Sequence, residues 1–138
     1  MEYKLEVVVV PVSDVDRAKR FYCDAVGFHL DVDRAQGAFR VVQMTPPGSA
    51  CSITIGTGLV DSAPGSLKGL QLVVADIDAA RDDLLSRGVE VSSIQHHDGT
   101  GLVEGKGGDW NSFVFFSDPD GNGWAVQESP TLRAERGH

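Results

Sequence analysis

The sequence predicts an α+β fold made of two tandem βαβββ modules. Three observations carry that expectation. The first is an internal repeat: Val9-Val-Pro-Val-Ser-Asp-Val-Asp-Arg-Ala18 returns as Gln71-Leu-Val-Val-Ala-Asp-Ile-Asp-Ala-Ala80, with Asp14 matching Asp76, Val15 matching Ile77 and Ala18 matching Ala80. The second is that both copies run on to a glycine and an apolar stretch, Val26-Gly27-Phe28 and Arg87-Gly88-Val89. The third is composition. Each copy opens on a short β-branched run and then turns to helical spacing of its apolar residues.

Taken in order, Lys4–Val12 reads as the first strand, too short and too β-branched for a helix. Asp14 and Asp76 then stand at helix N-cap positions, where a carboxylate accepts from the free amides of the first turn. Val15, Ala18, Tyr22, Ala25 and Val26 repeat at helical spacing in the first copy; Ile77, Ala80, Leu84 and Leu85 do so in the second. Gly27 and Gly88 fall where a left-handed residue ends a helix. Strands follow at Phe28–Arg34, Phe39–Met44 and Cys51–Gly56, and in the second copy at Val89–Gln95, Trp110–Ser117 and Gly123–Gln127. The chain thus reads as one domain over residues 1–138, with module one at about 4–56, a Gly/Pro linker at 57–68, module two at about 69–128 and a tail at 129–138. The tail, charged and ending in Arg-Gly-His138, is expected to fray. The glycine-rich stretch His96–Gly108 shows no periodicity and reads as a long loop, either functional or mobile.

The charge balance excludes several partners. Twelve Lys and Arg against twenty Asp and Glu give a formal charge of −8. A nucleic-acid binder needs a basic face, and anionic lipid would repel this surface, so neither nucleic acid nor membrane is an expected partner. The acidic balance is instead the ordinary means of keeping a small domain soluble. No run approaches the ~20 apolar residues of a membrane span, and the start of the chain lacks a signal peptide's basic and apolar regions. Cys23 and Cys51 show no CxxC spacing, so a cytoplasmic protein with reduced thiols is expected.

The stretch Val12-Ser-Asp-Val-Asp-Arg-Ala-Lys-Arg-Phe-Tyr22 resembles the vicinal oxygen chelate superfamily of glyoxalases, bleomycin resistance proteins and extradiol dioxygenases. Val74-Ala-Asp-Ile-Asp78 and Phe116-Ser-Asp-Pro-Asp-Gly-Asn-Gly-Trp124 carry the same likeness, which covers nearly all of Leu5–Glu128. The Asp-Pro-Asp-Gly turn alone is weak, because these residues make turns in any β-protein. The resemblance implies curved mixed sheets enclosing a cleft, and a homodimer. In the metal-dependent members of such a family each module supplies ligands from its first and last strands. Carried over, those positions fall on Val7, on Gly69 with Leu70 and Gln71 as the only slack, and on Ala125. Module one has no Asp, Glu or His between Gln36 and Val60, leaving only Gln43 and Cys51. None is a customary ligand, so no metal and no cofactor are expected. Glu128 lies three residues beyond Ala125, on the other strand face, and reads as a solvated acid at a strand end.

The remaining candidates are histidines, aromatics and one arginine. His96 and His97 are adjacent, so an extended backbone sends their rings to opposite sides. His29 and His138 have no evident partner. Trp110 follows the glycine-rich loop, with Phe113, Phe115 and Phe116 beyond it, and Phe39 opens the matching strand of module one. Trp110 and Phe39 suit a cleft wall as well as a core, whereas Phe115, Phe116 and Trp124 read as core. Arg40 is a candidate for an anionic or carbonyl group, against the commoner fate of an exposed strand arginine. No catalytic triad order and no phosphate loop is present, and no catalytic residue can be named.

Function is therefore expected to be metal-independent binding of an apolar or aromatic small molecule, with an aromatic natural product as ligand and an antibiotic-sequestering resistance protein as the model. The ligand-binding candidates are Val7, Val9, Phe39, Gln71, His96, Trp110, Phe113 and Ala125. The alternative is a metal-dependent lyase, isomerase or dioxygenase of the same superfamily, holding a divalent metal through atypical ligands such as Gln71, His96 and Glu128.

Overall fold

The computed structural model describes residues 1–136, so His138 lies outside the described residues. The elements run β1 (Val7–Val9), α1 (Val15–Arg20), a π turn (Phe21–Ala25), β2 (His29–Gln36), β3 (Phe39–Thr45), β4 (Ser52–Thr57), β5 (Leu70–Val74), α2 (Ile77–Ser86), β6 (Gln95–His97), β7 (Leu102–Glu104), β8 (Phe113–Ser117), β9 (Gly123–Glu128) and α3 (Pro130–Arg136). They make a four-stranded sheet, β1-β4-β3-β2, and a five-stranded one, β5-β9-β8-β6-β7. In each, the first strand pairs parallel with the last and the rest pair antiparallel, so both repeats share one mixed topology. The chain clusters into two compact units, one of Met1–Leu67 with Asp118–Asn122, the other of Lys68–Ser117 with Gly123 onward.

Local chemistry sets both helices. Asp14 Oδ1 accepts from the Arg17 amide at 3.0 Å, and Asp76 Oδ1 from the Ala79 amide at 3.1 Å. Gly27 and Gly88 end them at φ 89° and 83°, in the left-handed region that a Cβ disfavours. The first helix widens into a π turn, where the Val26 amide bonds back to the Phe21 carbonyl. In the first unit Val42, Met44, Ile53 and Ile55 pack with Ala18 and Tyr22 as a buried core. Tyr22 stacks on Phe28 with ring centroids 5.6 Å apart. In the second unit Val114, Phe116, Trp124 and Val126 are buried beside Ile77 and Leu84, and Phe116 stacks on Trp124 at 6.0 Å.

Several elements depart from expectation, each for a local reason. The first strand contracts to Val7–Val9 because Pro11 has no amide to donate, although Val10 still donates to the Thr54 carbonyl. Val89–Ile94 forms no ladder. The Ser92 hydroxyl accepts from the Phe115 amide at 2.9 Å, replacing the carbonyl that a strand would offer. The supposed loop at 96–108 holds strand β7, closed on β6 by a turn in which Asp98 accepts from Thr100 and Gly101. Residues 130–136 form a helix where fraying was expected. Pro130 starts it, the Ser129 hydroxyl caps the Leu132 amide, and Arg133 anchors it to Glu128 and to the Ala75 carbonyl.

Arg40 is engaged by carboxylates of its own unit. On the helix side of the first sheet it donates to Asp33 at 3.0 and 3.1 Å and to Asp16 at 2.8 Å, and Lys19 joins Asp33 at 2.7 Å. Hydrogen bonds from Arg40 and then Lys19 hold the Asp33 carboxyl down at about 2, against an ordinary 3.8. A carboxyl depressed in the folded state stabilises above its unfolded pKa, and that contribution fades as pH falls from about 4 to about 2. Asp33→Asn should therefore flatten the acid limb of a pH-dependent melt over that window. The loss at neutral pH should stay near 1 kcal/mol, because the cluster is partly exposed. An unchanged acid limb in the variant would remove Asp33 from the account.

Candidate functional site

The register of the second sheet divides its residues between two faces. Leu70, Trp124 and Phe116 stand in one row, Leu72, Val126 and Val114 in the next, all on the side packed by α2. On the opposite side Gln71, Ala125 and Phe115 form one row, and Val73, Gln127, Phe113 and Gln95 the other. This second face is open. Gln71 and Val73 are exposed, and Phe113, Phe115, Ala125 and Gln127 are half-buried.

Its surface is aromatic with a short polar thread. Phe113 and Phe115 stack with their planes nearly parallel, interplanar angle 12° and centroids 6.1 Å apart, and His97 meets Phe113 edge-on at 5.5 Å. Gln71 Nε2 donates to Gln127 Oε1 at 2.7 Å, and Gln127 Nε2 donates to the Trp110 carbonyl at 2.8 Å. Trp110 stands at the edge of the face with φ 61°, a left-handed conformation that a bulky side chain rarely adopts. Asn111 holds it there, accepting from the His97 amide and donating to the His97 carbonyl, both at 2.9 Å. The side chain of Trp110 remains 46% exposed. It sits in a turn rather than opening β8, the strand expected to begin there.

The candidate residues fall into two sets. Gln71, Phe113 and Ala125 stand on this face and Trp110 at its edge, whereas Val7, Val9 and Phe39 belong to the first unit. There Val9, Thr54, Gln43 and Val32 share a row on the side away from α1. Phe39, 47% exposed, joins Val32, Arg34 and Val41 around a shallow depression of about 460 Å³. His96 lies apart from the open face. Alternation from Gln95 puts His97 beside Phe113 and turns His96 away, where its Nδ1 pairs with the Gly105 carbonyl at 2.8 Å. Phe115, expected in the core, is instead a half-buried residue of the open face. Sequence alone pairs His97 with His96 without choosing between their faces and passes over Gln127, because a strand must be placed to the residue before its faces can be assigned.

Glu128 also reads differently in the structure. It faces the α2 side, as alternation requires, but is 9% exposed rather than solvated. Oε2 accepts from the Ile77 amide at 2.9 Å, closing the first turn of α2, and Oε1 pairs with Arg133. A helix N-terminus and a guanidinium compensate its charge. Gln71 lies on the opposite face and His96 is engaged with Gly105, so the atypical set Gln71, His96 and Glu128 does not converge. No cluster of three or more His, Cys, Asp or Glu occurs among the described residues. The ligand positions implied by the family do not fit a divalent cation either. Val7 and Ala125 carry hydrocarbon, Gly69 has no side chain, and the nitrogen of Gln71 is bonded to Gln127.

The repeated topology, parallel first and last strands around antiparallel inner ones, agrees with the sequence comparison. A model of the Glyoxalase/Bleomycin resistance protein/Dioxygenase superfamily matches residues 4–126. The chain belongs to this superfamily. Among solved structures, this member of the superfamily is similar to TnmS3, an antibiotic binding protein from Streptomyces sp. CB03234. The two share 34% identity over 93% of this chain and 97% of that one, with a TM-score of 0.76. A glyoxalase/bleomycin resistance protein from the same Streptomyces strain is 35% identical over 90% of this chain and 99% of its own, TM-score 0.72. A superfamily member from Sphaerobacter thermophilus DSM 20745 is 27% identical over 93% and 98%, TM-score 0.74. No curated protein matches the chain significantly. No helix among the described residues is long and apolar enough to cross a membrane.

Proposed function

We propose that this protein binds an aromatic small molecule without a metal, on the open face of its second sheet, and serves to sequester an antibiotic-like natural product. The observation that carries the reading is the half-buried pair Phe113 and Phe115, flanked by His97 and by the strained, exposed Trp110. An apolar, aromatic surface with a few fixed polar groups suits burial of an aromatic ring. The likeness to an antibiotic binding protein supports the ligand class. The missing donor chemistry at the family's ligand positions supports binding without metal and without a cofactor. Free Cys23 and Cys51 fit a reducing, cytoplasmic setting, and the superfamily resemblance supports a homodimer.

Two measurements test the reading. After dialysis against Ni, Zn, Mn and Fe(II), the protein should retain far less than one equivalent of any metal; stoichiometric tight binding would overturn the metal-free part. In a thermal-shift screen against aromatic antibiotics at about a hundred times Kd, a ligand of the folded state adds about 2.7 kcal/mol, which should raise Tm by several degrees. A screen in which planar aromatics leave Tm unmoved would overturn the ligand class.

A further inference from the structure

Resting on that reading, we infer that Gln71 selects planar aromatics carrying a hydrogen-bond donor, a hydroxyl or an amine, at the ring edge. The argument starts from a backbone oxygen, which only accepts. The Trp110 carbonyl takes the Gln127 amide nitrogen at 2.8 Å, so the oxygen of Gln127 must face the other way, toward Gln71. Gln71 answers with its nitrogen at 2.7 Å. The carbonyl thus fixes the orientation of both amides in turn, and Gln71 Oε1 is left with no protein donor among the described residues. Trp110 itself is held by the Asn111 clasp on His97, so the chain of amides hangs from a rigid point.

Water satisfies that exposed oxygen while the face is bare. An aromatic ligand packed against Phe113 and Phe115 covers the row that Gln71 shares with Ala125 and Phe115, and displaces that water. A ring with a donor at its edge replaces the lost bond; a ring without one leaves a covered acceptor unpaired, which costs affinity. One N–H of Gln71 stays free as well, so an ether oxygen is not repelled. What Oε1 reads is the donor.

A matched probe pair tests this: 2-naphthol and 2-methoxynaphthalene, titrated calorimetrically into the full chain. The wild type should prefer 2-naphthol by about tenfold, the usual weight of one covered acceptor left unpaired. Gln71→Leu, which removes the acceptor, should bring the ratio of affinities to about one. A melting curve of the variant checks that its fold is intact. Equal binding of the two probes by the wild type, or a preference that survives Gln71→Leu, overturns the role of Gln71 while leaving the aromatic face standing. If neither probe binds, the aromatic-face reading falls and this inference with it.

Discussion

Asp118→Ala should lower the unfolding free energy by about 3 kcal/mol or more. Asp118 is 5% exposed and its carboxylate accepts four hydrogen bonds. They come from Tyr22 Oη at 2.8 Å, Asn122 Nδ2 at 2.8 Å, the Asn122 amide at 2.9 Å and the Asp120 amide at 3.0 Å. Tyr22 and Asn122 are both fully buried. Removing the carboxylate strands donors that water cannot reach, at about 1–3 kcal/mol each before relaxation. Against a total stability of about 5–15 kcal/mol that is a large fraction. Asn122 also donates to the Pro11 carbonyl and accepts from the Leu67 amide, so the Asp118–Asn122 turn helps fix both ends of the first unit's chain. Tyr22→Phe should cost less, about 1 kcal/mol, because it leaves the carboxylate three of its donors. Urea unfolding of the two single variants and the double variant gives the coupling directly, expected above 1 kcal/mol. A loss below 1 kcal/mol for Asp118→Ala would show that the network does not hold the turn.

That network marks the boundary of what the sequence discloses. The Asp-Pro-Asp-Gly-Asn run announces a turn through local chemistry alone, as Asp14, Asp76, Gly27 and Gly88 announce helix ends. Such features depend on neighbours within a few residues, so they can be read along a string. The partner of Asp118 is Tyr22, 96 residues away, and no local rule connects them. The same holds for Glu128, which looks like a surface acid until the Ile77 amide and Arg133 are placed around it. The candidate site was half legible for a related reason. Phe113, Gln71 and Ala125 follow from alternation on strands whose positions the repeat fixes. His97 and Gln127 need the register of β6 and the length of β9, where a one-residue slip exchanges the faces and puts His96 in the place of His97. Trp110 stood out as an aromatic, but its left-handed backbone arises from the Asn111 clasp, a tertiary constraint invisible in composition.

Trp110→Gly should separate stability from binding in a way few substitutions allow. At φ 61° an L side chain costs about 1–2 kcal/mol, which glycine does not incur. Against that relief stand the greater freedom of glycine in the unfolded chain, about 0.5–1 kcal/mol, and the modest packing of a ring that is 46% exposed. The folded protein should therefore keep its stability to within about 1 kcal/mol. Binding should behave in the opposite way. An aromatic side chain has about 200 Å² to bury, and the half still open here would contribute about 2.5 kcal/mol if a ligand covered it. Affinity for an aromatic ligand should accordingly fall by tenfold to a hundredfold, with Trp110→Ala matching it in binding but melting at a lower temperature because the strain persists. Strain retained at an exposed aromatic is hard to explain by folding alone, since a glycine there would relieve it. If Trp110→Gly binds as well as the wild type, the ring lies outside the site and its backbone conformation needs another cause. If instead the variant loses more than about 2 kcal/mol of stability, the indole is a structural support, and the aromatic face must be carried by Phe113 and Phe115 alone.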